Sequence, residues 1–312
     1  MKSFTRFAWS VLAYDVAVIA WGALVRATGS GAGCGQHWPT CNGQVVPRSP
    51  AAETVVEFTH RASSGIALVL VFALAVWARR AFPRGHPARG AAALSLLFIV
   101  TEALLGAGLV LFGWVAADAS AGRGWAMALH LANTFLLLAA LALTASSSSR
   151  RSGRALRSPS ALPALLVLGL AATVLAGVTG AIAALGDTLF PATSFGAGLR
   201  QELGGGTSLL LRLRVIHPFV AGAAGLLLVA GARRAARACP EPHVRLAALS
   251  ATVLVLVELA VGAANVFLLA PVPLQVVHLV LADLIWISVV LVAGWSTPGE
   301  AHGLAEEAVA AT

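Results

Sequence analysis

The chain has 312 residues, of which 58% are hydrophobic and only 11% are charged, and its formal net charge is +8 at pH 7. This composition excludes a soluble globular domain and indicates a polytopic membrane protein. The basic excess is grouped in short connections between apolar runs, so it indicates membrane topology rather than nucleic-acid binding.

Eight apolar runs are long enough to span a bilayer as helices of about 20 residues. In chain order we expect them at 7–25, 54–78, 91–115, 125–145, 161–185, 208–231, 246–270 and 275–295. Arginine clusters follow the second, fourth and sixth runs, and Lys2 and Arg6 precede the first. Because basic connections stay on the cytoplasmic side, we expect a multi-pass protein of the prokaryotic inner membrane with both termini cytoplasmic.

Four of these runs carry a histidine near the end that faces outside, namely His60, His130, His217 and His278. An imidazole in hydrocarbon is costly unless it is paired, so each is a candidate functional residue. Two histidines at equal depth on facing helices can ligate both faces of a haem iron. Zinc or copper would require three or four ligands in one site. Buried hydrogen-bonded histidines are the remaining alternative.

The two halves of the sequence repeat each other. Three polar pairs recur at a near-constant offset: His60 with His217 (157 positions), Glu102 with Glu258 (156 positions) and His130 with His278 (148 positions). We therefore expect an all-α integral membrane fold of two pseudo-symmetric parallel four-helix bundles. The predicted domains are an N-terminal bundle at 1–146, a cytoplasmic linker at 147–160, a C-terminal bundle at 161–297 and a cytoplasmic tail at 298–312.

One position differs in charge between the halves. Glu57 precedes His60 by three residues and shares its helical face, and the matching residue in the second half is Arg214. A carboxylate beside a haem can handle protons, whereas an arginine more naturally holds a propionate. We therefore expect chemistry in the first half and electron transfer in the second, unless Glu57 merely pairs with Arg61. Arg61, Arg212 and Arg214 are placed to meet haem propionates near helix ends.

The connection after the first run reads Gly22-Ala-Leu-Val-Arg-Ala-Thr-Gly-Ser-Gly-Ala-Gly-Cys-Gly-Gln-His-Trp-Pro-Thr-Cys-Asn-Gly43. Together with Glu57-Phe-Thr-His-Arg61, it strongly resembles haem A synthase, the family of bacterial and mitochondrial enzymes of cytochrome oxidase assembly. The repeat, the eight runs and the four histidines extend the resemblance over nearly the whole chain. It implies a membrane oxidoreductase that converts the C8 methyl of haem O to the formyl group of haem A through hydroxylated intermediates.

The resemblance also implies roles for individual residues. His60 and His130 correspond to the ligands of the substrate haem, His217 and His278 to those of a cofactor haem b, and Glu57 to the family's catalytic carboxylate. A haem b accepts one electron at a time, so a separate electron donor is implied. The enzyme that produces haem O is an expected partner, nucleic acid is not, and the oligomeric state is open.

Cys34 and Cys41 match the cysteines of the family's first outer loop, where an oxidising compartment allows a disulfide. Free thiols are the alternative. The resemblance is incomplete at the outer loop between the fifth and sixth runs, because the second cysteine pair of some family members is missing here. The roles of Asp15, Glu102, Glu258 and Asp283 are left open. Two other functions are considered: a bis-histidine di-haem electron-transfer cytochrome b, and a transporter with histidine proton relays.

Overall fold

The structure, a computed structural model, describes residues 2–148, 164–204, 209–239 and 241–296. Within these ranges the chain forms nine α-helices and one 3-10 turn (Ser30–Ala32): α1 Lys2–Ala27, α2 Ala52–Ala81, α3 Pro87–Leu111, α4 Ala121–Ser148, α5 Ala164–Leu189, α6 Phe195–Leu203, α7 Leu209–Ala238, α8 Pro242–Phe267 and α9 Val272–Ser296. All of them except α6 are long and apolar enough to cross a membrane. The predicted all-α integral membrane fold is therefore confirmed.

The helices begin and end where local signals are strong. α3 begins four residues before the predicted run, because Pro87 occupies its first turn and His86 accepts a hydrogen bond from the backbone N–H of Ala88 at 3.2 Å. It ends before Gly113, which has a positive φ of 69°. α2 and α7 continue past their apolar runs into arginine-rich final turns, where cations favour the helix dipole.

Helix contacts form two four-membered rings. α1 packs on α2, α2 on α3, α3 on α4, and α4 returns to α1, while α5, α7, α8 and α9 close a second ring in the same order. The rings meet where α1 and α4 contact α5 and α9. The domain boundaries at 146 and 161 stay predictions. Apart from Ser147 and Ser148, which end α4, the predicted linker at 147–160 lies outside the described residues, as does the tail at 298–312.

Two buried clusters share α9. Trp286, Ile287, Val290 and Leu291 of this helix join the core of α1 to α4, and Ile285, Val289 and Val292 pack against α7 and α8. The indole N–H of Trp286 donates to the carbonyl of Phe135 on α4 at 2.6 Å, and the two rings stack with centroids 4.9 Å apart. α9 therefore belongs to the apolar cores of both halves, and we call it the shared wall.

The connections alternate between the two ends of the helices. The 28–51 segment, the α3–α4 connection, α6 and the α8–α9 connection all lie at one end, which we call the loop end. The arginine-rich ends of α2 and α7 lie at the other. Large apolar side chains such as Phe72, Leu104, Phe219 and Leu226 are exposed around the circumference. Such a surface suits lipid and not water.

Candidate functional site

Each ring of helices holds two histidines at similar depth below the loop end. His60 and His217 lie eight residues into α2 and α7, His130 nine residues into α4, and His278 six residues into α9. All four helices begin at the loop end. With a rise of 1.5 Å per residue, the depths differ by about 5 Å at most.

The second-half histidines face each other. The ring centres of His217 and His278 are 6.3 Å apart, and their planes are inclined by 78°. An imidazole–metal bond is about 2 Å long and the ring centre lies roughly 1 Å further, so two rings on opposite sides of one metal would be about 6 Å apart. This pair therefore fits the two axial positions of one iron. In the first half, His130 lies within electrostatic range of His60.

Glycines bring neighbouring helices close to two of these rings. A Cβ atom added at Gly22 on α1 would lie 2.9 Å from Cε1 of His60, and one at Gly180 on α5 would lie 2.8 Å from Cε1 of His217. Both distances are shorter than van der Waals contact, so any side chain there would push the imidazole aside. The two glycines are 158 positions apart, within one position of the 157 that separate His60 from His217. Neither glycine is among the site residues predicted from the sequence, although this offset is the signal that marks them.

The other two histidines lie beside glutamates. Nδ1 of His130 is 2.9 Å from Oε1 of Glu102 on α3, and Nδ1 of His278 is 3.0 Å from Oε2 of Glu258 on α8. Neither contact has the alignment of a full hydrogen bond. A carboxylate at Nδ1 orients the ring and leaves Nε2 for a metal. The roles of these two glutamates were open from the sequence, and the structure places both against histidines.

A glycine one turn beyond each glutamate also faces the ring. A Cβ atom at Gly262 would lie 3.1 Å from Cε1 of His278, and one at Gly106 would lie 3.9 Å from Nε2 of His130. The second contact is ordinary van der Waals contact and leaves more room. All four histidines therefore have a glycine from the preceding helix beside them, and two also have a carboxylate.

The surroundings of the two glutamates differ. Glu102 accepts hydrogen bonds from Asn133 and Thr134, each at 2.5 Å. The repeat offset of 148 places Leu281 and Ala282 at the corresponding positions of α9. The buried Asp283 is within electrostatic range of both glutamates, and neither of its carboxylate oxygens has a hydrogen-bond partner within the described chain. The first-half pair is thus more completely hydrogen-bonded than the second.

His60 and His217 have fewer polar neighbours. Nδ1 of His60 is buried and has no hydrogen-bond partner among the described residues. Nδ1 of His217 lies 3.3 Å from the hydroxyl of Thr179. A buried ring nitrogen without a hydrogen-bond partner is unusual and indicates that a bound ligand completes the site. This observation fits a ligand in the first half.

Glu57 binds the 28–51 segment to α2. The side chain is 3% exposed, and its carboxylate accepts a hydrogen bond from the backbone N–H of Cys34 at 2.8 Å. Nε of Arg61 donates to Oε1 of Glu57 at 3.0 Å, and the two groups form an ion pair. Arg61 also donates to two carbonyls of the segment, those of His37 and Thr40. The pairing of Glu57 with Arg61 that the sequence allowed is therefore present.

A disulfide joins Cys34 to Cys41, so the alternative of free thiols is excluded. Thr54 on α2 and Asn42 both donate to the carbonyl of Gly33, at 2.8 and 3.0 Å. Hydrogen bonds of Thr54, Glu57 and Arg61 thus attach the segment to the loop end of α2, the helix that carries His60, and the disulfide closes a loop within the segment itself.

Arg214 has the corresponding position in the second half and holds α6. Its guanidinium lies 2.5 Å from Asp187 on α5 and 3.5 Å from Glu202 on α6. Burial raises the pKa of the Glu202 carboxyl, Arg214 opposes this shift, and Asp187 adds to it. Arg212 is exposed on α7. The propionate contacts of Arg61, Arg212 and Arg214 stay predictions, and two of these three arginines already pair with protein carboxylates.

Nowhere in the described ranges do three His, Cys, Asp or Glu side chains converge on one metal position. Two imidazoles per half match the axial ligation of a haem better than a bare ion. Fold and site together define a multi-pass membrane protein with one histidine pair in each of two repeated halves.

The chain belongs to the family described as cytochrome oxidase assembly protein (COX15-CtaA), whose pattern matches residues 5–290. It is 50% identical over 287 residues, or 92% of its length, to a protoheme IX farnesyltransferase of Thermus thermophilus and covers 47% of that protein. It is 49% identical over 96 residues to a heme A synthase of Shouchella clausii, which is 31% of this chain and 32% of the relative. A heme A synthase of Exiguobacterium sibiricum is 34% identical over 166 residues, 53% of each chain. The chain thus spans about half or less of each of these relatives.

Proposed function

We propose that this protein is a haem A synthase, a membrane oxidoreductase that converts the C8 methyl of haem O to a formyl group through hydroxylated intermediates. In this proposal His60 and His130 hold the substrate haem, and His217 and His278 hold a haem b cofactor. The observation that carries it is the pair of histidines in each half, which in the second half are 6.3 Å apart between ring centres. The similarity to proteins named heme A synthase supports it further.

A bound haem b supplies one-electron transfer, and the protein's own residues prepare its position. Glu102 and Glu258 lie at Nδ1 of their histidines, which directs Nε2 of each ring to the metal. Gly22 and Gly180 leave space for the other two rings.

Glu57 is the proposed catalytic carboxylate. It lies three residues before His60 on one helical face and is nearly inaccessible. A buried carboxylate at this place can take up a proton or stabilise developing positive charge on the substrate. Its bonds to Arg61 and to the Cys34 N–H fix its orientation, so the same residue also positions the segment at the loop end.

The proposal includes a topology and partners. Arginine-rich ends of α2 and α7 lie opposite the disulfide-bonded segment, which favours a cytoplasmic arginine end and an extracytoplasmic loop end. Both termini would then be cytoplasmic, in a prokaryotic inner membrane. The expected partners are the enzyme that produces haem O and a separate electron donor.

Two other functions are weaker. An electron-transfer cytochrome b would need the same histidine pairs. The two halves are unequal, however, because Arg214 takes the place of Glu57 in the second half and only the glutamate of the first half, Glu102, has an asparagine (Asn133) beside it. This inequality favours different tasks for the two sites. The Thermus thermophilus relative is named a farnesyltransferase, and more than half of that protein lies outside the match. Its name is therefore not transferred to this chain.

The test is to purify the protein from cells with and without a source of haem O and to identify the extracted haems. Haem A or its hydroxylated precursor is expected only with haem O. Unchanged haem O together with haem b under reducing, aerated conditions would support the electron carrier instead.

Glu57→Gln tests the catalytic role, because glutamine keeps an acceptor for the Cys34 N–H but cannot take up the proton. We expect haem content to stay near that of the wild type and conversion to fall by about 10² to 10⁴-fold. Glu53→Gln, in the exposed first turn of α2, is the matched control. Loss of all haem from Glu57→Gln would contradict the assigned role.

A further inference from the structure

Two arginines at the loop end, Arg26 and Arg123, have no carboxylate at ion-pair distance among the described residues, in contrast to Arg61 and Arg214. Arg26, at the end of α1, donates to the carbonyl of Ala184 at 2.8 Å and to the hydroxyl of Thr188 at 2.9 Å, both on α5. Its other terminal nitrogen donates to Oε1 of Gln275 on α9 at 2.9 Å. All of its hydrogen-bond acceptors are neutral, and the carboxylate of Asp187, which is within electrostatic range, already forms an ion pair with Arg214.

Arg123, in the first turn of α4, is only 4% exposed. One of its nitrogens donates to the carbonyls of Ala116 and Asp118 at 2.7 and 2.8 Å. Its Nε is buried without a hydrogen-bond partner in the described part of the chain. The carboxylate of Asp118 accepts instead from the hydroxyl of Ser120 at 2.6 Å. A buried guanidinium nitrogen therefore lacks the acceptor that it requires.

Arg26 lies between the two histidine sites. It is one turn beyond Gly22, which contacts His60, and its acceptor Ala184 is one turn beyond Gly180, which contacts His217. Its third acceptor, Gln275, precedes His278 by three residues on α9. The guanidinium is thus just above both sites, on the side of the loop end.

Arg123 lies above the first-half site. It precedes His130 by seven residues, which is two helical turns on the same face of α4, towards the loop end. It is within electrostatic range of Arg26. Two like charges therefore lie within electrostatic range of each other. Asp187 and Asp118 each act on one of them but are engaged with Arg214 and Ser120, so a further anion between the two arginines would be favourable.

We propose that Arg26 and Arg123 form a cationic subsite for the propionate carboxylates of the bound haems, Arg123 at the first-half site and Arg26 at the boundary of both. This inference rests on the proposed function, because it requires haem at the histidine pairs. Haem propionates are the anions that such ligands would bring to this depth, and charge-assisted bonds to arginine are the usual way to hold them. Arg61 and Arg214, which the sequence suggested for this task, already have protein carboxylates.

The test compares haem b with its propionate dimethyl ester, which keeps the porphyrin and iron and removes the negative charges. Apo-protein in detergent is titrated with each compound and followed by the Soret band. We expect the wild type to prefer haem b by about tenfold or more, the effect of one charge-assisted bond. Arg26→Gln and Arg123→Gln should each reduce this preference, and Arg26→Lys should keep most of it. Arg84→Gln, exposed at the opposite end, is the control.

A purely structural role for Arg26, as a link between α1, α5 and α9, predicts that Arg26→Gln weakens both compounds equally. That result, or an unchanged preference in both variants, overturns the inference and leaves the proposed function intact. Wild-type protein that binds neither compound overturns both. If Arg26→Gln does not fold, Arg123→Gln decides the question, because its protein contacts are confined to the start of α4 and the preceding connection.

Discussion

Gly22 and Gly180 have no side chain, and for that reason His60 and His217 can lie between two tightly packed helices. The backbone of a neighbouring helix packs against one side of each imidazole. At His130 and His278 a carboxylate also contacts the imidazole. Metal ligands held in this way need little rearrangement on binding. The ligand geometry therefore depends on residues that never contact the metal.

Gly180→Ala should release haem from the second half. The added methyl group would lie 2.8 Å from Cε1 of His217 and would force the ring or α5 to move, at a cost of about 1–3 kcal/mol. The measurement is haem b per protein after purification, with the Soret spectrum. Gly222→Ala, on the same helix as His217 with nothing within 4 Å, should keep its haem and gain slightly in stability. Full haem content in Gly180→Ala would show that the ring has free space after all.

At the scale of elements, each half has a cover at the loop end that a buried or half-buried ion pair fastens. In the first half Glu57 and Arg61 hold the disulfide-bonded segment, and in the second Arg214 holds α6 through Glu202. The charges at the matching positions are reversed, yet each position binds the cover of its own half. The two covers are therefore analogous in place and different in chemistry.

Replacing Cys34 and Cys41 together by serine should loosen the 35–44 segment without unfolding α2. Closing a loop of this length contributes about 2–3 kcal/mol, while the Glu57–Arg61 pair still holds the base of the segment. Hydrogen exchange should become faster in this segment and stay unchanged in the helices. Cys239→Ser, which removes the free thiol, is the control. Equal protection in the double variant would mean that the ion pair alone fixes the cover.

Much of this architecture could be predicted from the sequence. Long apolar runs locate the eight spanning helices, and the repeat offset brings the histidines into pairs, because both signals are local or periodic. α6 was not expected, since nine residues with several polar side chains resemble a loop. The Glu57–Arg61 pair follows from their spacing of four residues, but the contacts of Arg61 with the His37 and Thr40 carbonyls and those of Arg26 with α5 and α9 could not be predicted, because they depend on how distant parts of the chain pack.

On the scale of the whole molecule, α9 is the element that joins the halves. One of its faces completes the core of α1 to α4 and the other packs on α7 and α8. Two histidine sites fixed to a shared helix keep a constant separation, which suits the electron transfer that the proposed function requires. Relative motion of the halves would have to break the contact of Trp286 with Phe135.

Trp286→Phe should weaken this junction. The indole hydrogen bond to the Phe135 carbonyl is lost while an aromatic ring remains for stacking, so we expect a loss of about 1–2 kcal/mol in the free energy of unfolding. Thermal unfolding in detergent, followed by the backbone circular dichroism, measures this loss of stability. Trp9→Phe, partly exposed on α1, serves as the comparison and should change little. Equal melting of both variants would argue against a tight junction.

The shared wall has a consequence for biogenesis. During synthesis α9 leaves the ribosome after the seven other spanning helices, yet Trp286, Ile287, Val290 and Leu291 fill the interior of the helices made first. The amino-terminal four helices therefore enter the bilayer with a gap in their packing that persists until translation has passed residue 291. Nascent chains stopped before that point should be substrates for membrane quality-control proteases, whereas longer ones should become resistant.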